Sequence, residues 1–255
     1  MNDAVILATE GIGKRYGAFT ALDDIDVAFA RGKLTAVIGP NGAGKSTLLS
    51  ILSGATTPTG GRIIFEGRDI AGTKPHRFAR MGIARSYQIT NLFPQLTVHE
   101  NVRLAAQAIH APARFDLWRS RVQYPTLDEE ADALLASVGL APQRDRTAAT
   151  LAHGEQRALE IAVALAAKPR LLLLDEPTAG MSPEETREMM DLVARLASER
   201  TVLLVEHKMK MIMGLADHIV VLHQGRLLAQ GTPQVIRADP AVRRVYLGEG
   251  RSGRG

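Results

Sequence analysis

The sequence predicts an α/β fold in which a parallel sheet forms the core. Two runs, Leu171–Leu174 and Thr201–Val205, are continuously apolar, as strands are when helices cover both faces of a parallel sheet. A third apolar run, Leu34–Ile38, leads through a glycine-rich segment into the helical pattern of Thr47–Leu52. The 255 residues, of which 45% are hydrophobic, suit one large domain or one core with a small subdomain.

Glycines punctuate the N-terminal part of the chain. Residues 5–33 are expected to form short strands and turns, because glycines such as Gly11 and Gly17 interrupt them. The helix that follows the first buried strand should stop at Gly54, a residue type that ends helices readily. Residues 60–70 begin with two glycines and predict a small antiparallel pair of strands.

The middle of the chain is predicted to be largely helical. Residues 75–85 indicate a short helix and residues 86–91 a strand that runs into a loop. The helical pattern of residues 98–140 is divided by prolines, so we expect a subdomain of several helices. Glu155–Lys168 predicts a further helix. Its apolar stripe consists of Leu159, Ala162, Val163 and Ala166.

The helix between the two leucine-rich strands has a defined start. Ser182 is the cap, Pro183 occupies the first helical position and Glu185 completes a capping box. We assign two apolar stripes to the core. They are Met189, Leu192, Val193 and Leu196, and further on Met209, Ile212, Met213 and Ala216. Residues 219–229 predict a terminal hairpin.

These elements suggest where the domain begins and ends. We place it at residues 5–247, with a helical subdomain at about 95–165 and a disordered tail at 248–255. The start of the chain carries no basic leader, and its longest apolar run, Ile161–Ala167, is far below the ~20 residues that cross a bilayer. We therefore expect neither a secretory signal nor a membrane span.

Composition narrows the classes of function. There is no cysteine, which excludes disulfides and thiolate chemistry. The net charge of +4 comes without a stripe of basic and aromatic residues, so we expect no nucleic-acid partner. None of the histidines has metal-ligand spacing, so we expect no zinc site.

One segment matches the phosphate-binding pattern Gly-x-x-x-x-Gly-Lys-Ser, namely Gly39-Pro40-Asn41-Gly42-Ala43-Gly44-Lys45-Ser46. In such a loop, backbone N–H groups curl around nucleotide phosphates and Lys45 adds a positive charge. The Ser46 hydroxyl can hold Mg²⁺, and the following helix contributes the positive end of its dipole. The alternative is an ordinary glycine-rich turn, but the strand before the segment and the helix after it favour the phosphate loop.

Two acids and a histidine follow the buried strands. Asp175 and Glu176 close the strand Leu171–Leu174, at the sheet edge where open α/β folds bind ligands. Asp175 suits a ligand of Mg²⁺, and Glu176 suits a base that polarises an attacking water. His207 follows the neighbouring strand at the same edge, so contact with a γ-phosphate is expected. A strand-end turn and a surface histidine are the simpler alternatives.

Three further segments are weak when taken alone. Leu151–Gln156 precedes a helix whose N-terminus attracts anions, and Gly154 allows close backbone approach. The amide of Gln88 is able to reach a metal or a water, and Tyr16 is able to stack on a base. Taken alone, the first segment indicates a helix cap, Gln88 is uninformative, and Tyr16 is more often a half-buried strand tyrosine than a base-stacking residue.

The order of these pieces resembles the ATP-binding cassette ATPases over essentially the whole chain. The resemblance implies a P-loop NTPase (RecA-like) core with an antiparallel β subdomain and a helical signature subdomain, and ATP and Mg²⁺ as ligands. The implied catalytic residues are the base Glu176 and the γ-phosphate sensor His207. The implied metal ligands are Ser46, Gln88 and Asp175. The implied ATP-binding residues are Tyr16, Gly39, Pro40, Asn41, Gly42, Ala43, Gly44, Lys45, Ser46, Thr47 and Gln88. A signature loop that clamps the ATP of a partner subunit is implied at Leu151, Ala152, His153, Gly154, Glu155 and Gln156.

A narrower resemblance concerns the ATPases of branched-chain amino-acid importers. It is carried by Val205–Lys210, Gly231–Pro233 and Tyr246–Glu249. The resemblance implies permease subunits, a second ATPase subunit that is identical or different, and indirectly a periplasmic or extracellular solute-binding protein. It also implies a peripheral position on the cytoplasmic face of the inner membrane. The chain departs from the usual Leu-Ser-Gly-Gly-Gln signature at Ala152 and His153, and from the usual Asp at Ser182.

Several alternatives stay open at this point. The solute could be urea, an amide or an aromatic acid, and a lipopolysaccharide-type exporter could share the Tyr-Leu-Gly tail. A non-transport cassette ATPase and a small-molecule kinase are further classes. Leu92 and Phe93, just beyond Gln88, suggest a docking groove for a permease helix. The alternative is that Phe93 packs beneath the helical subdomain.

Overall fold

The structure is a computed structural model that describes residues 4–86, 92–110 and 125–247. Its strands are, in chain order, β1 (Val5–Tyr16), β2 (Phe19–Ala30), β3 (Leu34–Ile38), β4 (Gly60–Phe65), β5 (Arg68–Asp69), β6 (Ile83–Ser86), β7 (Leu171–Asp175), β8 (Thr201–Val205), β9 (His218–His223) and β10 (Arg226–Gly231). Its helices are α1 (Lys45–Leu52), α2 (Pro75–Arg80), α3 (Val98–His110), α4 (Pro125–Ser137), α5 (His153–Leu165), α6 (Pro183–Glu199), α7 (Met209–Leu215), α8 (Pro233–Ala238) and α9 (Pro240–Leu247).

A six-stranded sheet in the order β10-β9-β3-β8-β7-β6 carries the functional elements. Strands β9, β3, β8, β7 and β6 run parallel to their neighbours, and β10 pairs with β9 antiparallel. In this register Val37 and Asp175 both lie opposite Val205. The residues that follow β3, β7 and β8 therefore emerge side by side at one edge of the sheet.

The core confirms that the central strands are covered on both faces. Leu171 and Leu173 belong to one buried apolar cluster, whereas Leu172 and Leu174 belong to the other. Alternate side chains of a strand point to opposite faces, so both faces of β7 are covered by apolar groups. The predicted stripe of α6, which includes Met189 and Val193, lies in the core as expected.

The antiparallel part of the fold is more regular than the sequence indicates. The prediction of short strands within residues 5–33 is wrong, because β1 and β2 are each 12 residues long and pair with each other. Gly11 has φ +60 and lies where the register shifts between Thr9 and Ile12. The glycine is thus taken up as a bulge within a continuous strand rather than ending it. The predicted pair in residues 60–70 is confirmed as β4 and β5, in a four-stranded sheet of order β2-β1-β4-β5.

Several predicted boundaries move. The short helix predicted at residues 75–85 ends at Arg80, and the strand predicted at 86–91 is instead β6, because Gly82 with φ +90 turns the chain between them. Residues 87–91 lie outside the described residues. Helix α5 begins two residues before the predicted Glu155 and ends before Lys168.

The C-terminal part contains both confirmed and missed elements. The capping of α6 is confirmed, since Ser182 accepts from the Glu185 amide and Glu185 accepts from the Ser182 amide. The predicted hairpin is confirmed as β9 and β10 but does not end the fold, because α8 and α9 follow it. Thr232 before Pro233 signals the first of these helices, in the cap-then-proline pattern. The predicted tail lies outside the described residues.

The helices also bear on the membrane question. Within the described ranges, no helix combines the length and the apolar character that a bilayer crossing requires.

Candidate functional site

The glycine-rich loop between β3 and α1 is tightly enclosed by backbone. A Cβ atom on Gly39 would lie 2.4 Å from the carbonyl oxygen of Leu222. A Cβ atom on Gly44, whose φ is +102, would lie 2.6 Å from the Leu22 side chain. Only glycine meets both demands, so the loop shape depends on residues that the motif specifies.

Lys45 bends back over this loop. Its ammonium donates to the carbonyl oxygens of Gly39 at 2.8 Å and Pro40 at 3.1 Å. Burial lowers the pKa of Lys45, and the nearby carboxylates of Glu176 and Asp175 oppose that shift. A buried cation held by two neutral carbonyl groups is well placed to be taken over by a phosphate.

The loop lines a cavity of about 230 Å³ that also includes a residue from β7's end. Glu176 is that residue, and its charge acts on the Lys45 ammonium of the phosphate loop. Its backbone has φ +45, in the left-handed region that non-glycine residues seldom adopt, and its N–H donates to Val205 O at 2.9 Å. The other lining residues are Phe19, Ala21, Asn41, Gly42, Ala43, Gly44, Lys45, Ser46 and Thr47.

Asp175 forms a buried ion pair that the sequence did not indicate. Arg85 donates to its Oδ2 at 2.6 Å, and the two side chains are 9% and 1% exposed respectively. Arg85 also donates to the Ser50 and Ser53 hydroxyls at 3.1 and 3.3 Å. Nothing in the motif pattern points to Arg85, because the residue lies on β6, far from Asp175 along the chain.

The acids present suit a magnesium ion. Asp175 Oδ1 is buried and has no hydrogen-bond partner among the described residues. A buried carboxylate oxygen without a donor is a suitable ligand for a hard cation. Ser46, on the first turn of α1, carries a hydroxyl and lines the cavity of the phosphate loop. The third predicted ligand, Gln88, lies outside the described residues.

His207 follows β8 at the same edge but is not among the residues that line the cavity. Its side chain is half exposed, and its Nδ1 lies 3.7 Å from Glu206 Oε2. Its backbone N–H donates to the same oxygen at 3.0 Å. The backbone of His207 is thus bound to Glu206, while its imidazole is half exposed and does not line the cavity.

The segment Leu151–Gln156 lies apart from the phosphate loop of the same chain. Ala152, Gly154 and Glu155 line a different cavity, of about 470 Å³, with residues of α6. His153, which stands where the usual signature has glycine, reaches Ala179 O with its Nε2 at 3.0 Å. The Ala152 N–H donates to Glu155 at 2.9 Å, so Glu155 caps the helix that Ala152 cannot cap with its own side chain.

Among the described residues, the aromatic residue that lines this cavity is Phe19 rather than Tyr16. Tyr16 is 51% exposed and its ring lies 4.9 Å beneath the Lys14 ammonium, outside the lining of the cavity. Phe19, its partner in the β1–β2 register, is 64% exposed and lines the cavity. Sequence reasoning missed Phe19, although it lies three residues on in the same hairpin.

The two residues proposed for docking behave differently. Phe93 is 57% exposed, so the alternative that it packs beneath the helical subdomain is wrong. Its N–H donates to Asn101 Oδ1 at 2.7 Å, which fixes the backbone that presents it. Leu92, in contrast, is partly buried and packs against the core, which corrects the expectation that it has no core role.

Comparison with known proteins agrees with this geometry. The family described as ABC transporter matches residues 22–179, and the family described as branched-chain amino acid ATP-binding cassette transporter matches residues 226–252. The chain is 42% identical over 251 residues to the high-affinity branched-chain amino acid transport ATP-binding protein BraF of Pseudomonas aeruginosa, covering 96% of this chain and 98% of that protein. It is 40% identical over 253 residues to LivG of Salmonella typhimurium, with the same coverage.

A solved structure extends the match to three dimensions. The ADP conformation of an ATP-binding cassette of an ABC transporter superposes with a TM-score of 0.83, at 31% identity, over 96% of this chain and 99% of that one. The predicted P-loop α/β fold and the predicted ABC transporter ATPase are thereby confirmed. The chain therefore belongs to the ABC transporter family, as an ATP-binding subunit that hydrolyses ATP to power transport.

Proposed function

We propose that the chain hydrolyses MgATP at the cavity lined by Asn41–Thr47 and Glu176, and that this drives import of a branched-chain or related amino acid. The observation that carries the proposal is the position of Glu176, which lines the same cavity as Lys45 and Ser46. A base at one end of a phosphate site and a cation at the other are what hydrolysis of a terminal phosphate requires.

Each residue has a distinct role in this proposal. The backbone of Gly39–Thr47 and the Lys45 ammonium hold the phosphates, and Ser46, Asp175 and Gln88 hold Mg²⁺. The metal, when bound, neutralises charge on the phosphate oxygens. Glu176 takes a proton from the attacking water. The water oxygen bonds to the γ-phosphorus as the bond between the γ-phosphorus and the ADP oxygen breaks. His207 senses the γ-phosphate, and an aromatic residue of the β1–β2 hairpin, Tyr16 or Phe19, stacks on adenine.

The assembly follows from the separation of the two loops. Because Ala152, Gly154 and Glu155 line another cavity, we place the segment Leu151–Gln156 against the ATP of a second ATPase subunit, identical or different. In such a head-to-tail pair, the domain at 5–247 would turn both its phosphate loop and the signature loop of its helical subdomain, at about 95–165, towards the same second subunit. Permease subunits would hold the pair at the cytoplasmic face of the membrane, with a solute-binding protein acting indirectly.

An apolar cavity supports a permease contact. It has a volume of about 280 Å³ and lies where α2, α3, α5 and β6 meet. Phe78, Ile83, Ile109 and Val163 contribute to its lining. Arg85, which pairs with Asp175, also lines this cavity, so an occupant would lie close to the proposed nucleotide site.

The test of catalysis is Glu176→Gln. The variant should bind ATP normally and lose hydrolysis by about 10²–10⁴-fold, as general-base removal does. Glu199→Gln, on the exposed end of α6, is the matched control. Near wild-type turnover by the Glu176→Gln protein would refute the assignment.

The test of the solute is uptake. Deleting the gene should abolish high-affinity uptake of labelled leucine, isoleucine or valine, and restoring it should recover uptake. If uptake of all three persists, the proposal moves to a urea, amide or aromatic-acid importer.

A further inference from the structure

The two residues that flank His207 hold one residue of the loop that follows Glu176. Glu206 Oε1 accepts from the Thr178 N–H at 3.1 Å and from the Thr178 hydroxyl in a short contact. Lys208 Nζ donates to the Thr178 carbonyl oxygen at 3.2 Å. All three polar groups of Thr178 are therefore bound by the neighbours of His207.

These contacts are shielded from water. Thr178 is 0% exposed and Glu206 is 1% exposed. The second oxygen of Glu206 accepts from the His207 N–H at 3.0 Å, and Lys208 also donates to the Thr186 hydroxyl on α6 at 2.9 Å. A buried carboxylate is costly unless its oxygens are hydrogen-bonded, so Glu206 binds its donors strongly and in one geometry.

The held loop also carries the proposed base. Glu176 lies two residues before Thr178, and its φ of +45 is a conformation that persists only where surrounding contacts enforce it. Its N–H is bound to Val205 O at 2.9 Å. The end of β8 and the residue after it thus bind this loop at two points. Val205 accepts a hydrogen bond from Glu176, and Glu206 accepts hydrogen bonds from Thr178.

We propose that Glu206 and Lys208 are positioning residues that join the Glu176 loop to His207, so that the two move as one body when nucleotide binds. The proposal rests on the proposed function, because it assumes that Glu176 and His207 act on ATP. It assigns roles to Glu206, Lys208 and Thr178, and these residues are not part of the phosphate-loop motif or of the Asp175-Glu176 strand end. A small displacement of Glu176 would misplace the base relative to the water, and such errors cost up to about 10²-fold in rate.

Two substitutions at Thr178 separate positioning from packing. Thr178→Val keeps the shape and removes the hydroxyl that Glu206 binds, whereas Thr178→Ser keeps the hydroxyl and removes the methyl. We expect Thr178→Val to lower kcat at least about tenfold with KM for ATP within about twofold, and Thr178→Ser to recover most of kcat.

Thr9 supplies the matched control. Its buried hydroxyl donates to Ile25 O at 2.9 Å and accepts from the Val27 N–H at 3.0 Å in the antiparallel sheet. Thr9→Val should lower the melting temperature as Thr178→Val does but leave kcat unchanged. Two outcomes would overturn the proposal. One is an equal kcat for Thr178→Val and Thr9→Val, and the other is a higher kcat for Thr178→Val than for Thr178→Ser.

A second variant and a second measurement cover a failure to fold or to hydrolyse. Lys208→Met releases the Thr178 carbonyl and the Thr186 hydroxyl, leaves both contacts of Thr178 with Glu206 in place, and should lower kcat at unchanged KM. Hydrogen exchange of the nucleotide-free chain should quicken together in residues 176–182 and 205–209 in Lys208→Met, and not in Thr9→Val. Faster exchange in only one of these segments would refute the joint movement. If the wild-type chain does not hydrolyse ATP, that result counts against the proposed function and leaves the exchange test of the joint movement in place.

Discussion

The buried pair of Arg85 and Asp175 allows stability and metal binding to be separated in one experiment. Both side chains lie almost wholly out of water and their charged atoms are 2.6 Å apart. Removing one partner of such a pair leaves an uncompensated buried charge, which typically costs about 3–5 kcal/mol of unfolding free energy. We therefore expect Arg85→Met to fall in that range and Asp175→Asn near its lower end, because asparagine still offers Arg85 an oxygen.

The double variant provides the internal check. With both charges removed, Arg85→Met/Asp175→Asn should recover at least half of the lost free energy, since replacing a buried pair by neutral groups is often close to neutral. A loss of about 3–5 kcal/mol corresponds to a fall of roughly 6–20 °C in melting temperature for a chain of this size. Equilibrium urea unfolding of the four proteins, without nucleotide, measures the cycle.

Metal dependence should follow a different pattern. Binding of ATP in the presence and absence of Mg²⁺, measured by calorimetry, should lose its Mg²⁺ enhancement wherever Asp175 is replaced, including in the double variant. Arg85→Met should keep the enhancement. If Asp175→Asn keeps it too, Asp175 does not bind the metal, and if the double variant is less stable than either single variant, the pair is not the source of the stability.

Three other predictions concern separate parts of the molecule. Gly44→Ala should remove the thermal stabilisation by ATP, because its Cβ would lie 2.6 Å from Leu22, whereas Gly72→Ala, also at positive φ but with nothing within 4 Å, should keep it. Burial raises the pKa of Glu160 above its usual 4.5, against the opposing hydrogen bond from Arg157. The contribution of this carboxyl to the stability of the folded state is therefore full below pH 4.5 and is lost as the pH rises. The unfolding free energy of Glu160→Gln minus that of the wild type should increase from pH 4.5 to pH 7. Phe93→Asp should uncouple transport and change the unfolding free energy by less than about 0.5 kcal/mol, because the Phe93 side chain is exposed. Leu92→Asp should lower the unfolding free energy, because Leu92 packs against the core. Equal effects of the two variants on uptake and on unfolding would refute the distinction.

The sequence predicts what local chemistry dictates. The run Leu171–Leu174 identifies a strand covered on both faces, since an exposed face would require polar side chains at alternate positions. The start of α6 is equally explicit, because Ser182, Pro183 and Glu185 each meet a separate requirement of a helix N-terminus. The phosphate loop belongs to the same class, because its glycines are required by the backbone itself.

Features that depend on distant partners are not visible in the sequence. Gly11 suggests a break, but pairing of β1 with both β2 and β4 outweighs the local preference and converts the break into a bulge. Arg85 has no motif around it, and its role exists only because parallel pairing of β6 with β7 places it near Asp175. Phe19 and Tyr16 are indistinguishable as aromatic residues of one hairpin until the phosphate loop is positioned against one of them.

The residues around His207 join these two kinds of information. Glu206 and Lys208 stand beside a histidine that the sequence does single out, yet their partner Thr178 is 28 residues from Glu206 along the chain. A carboxylate next to a strand end would ordinarily be expected in solvent, and burial of Glu206 is tolerable only because the Thr178 and His207 donors meet it there. The same loop continues to Ala179, whose carbonyl oxygen lies 3.0 Å from the His153 ring. His153, which replaces the usual glycine, therefore connects the loop that carries Glu176 to the segment Leu151–Gln156, which we place against the partner's ATP. The proposed base and the proposed signature loop of one chain are thus linked through residues 176–182.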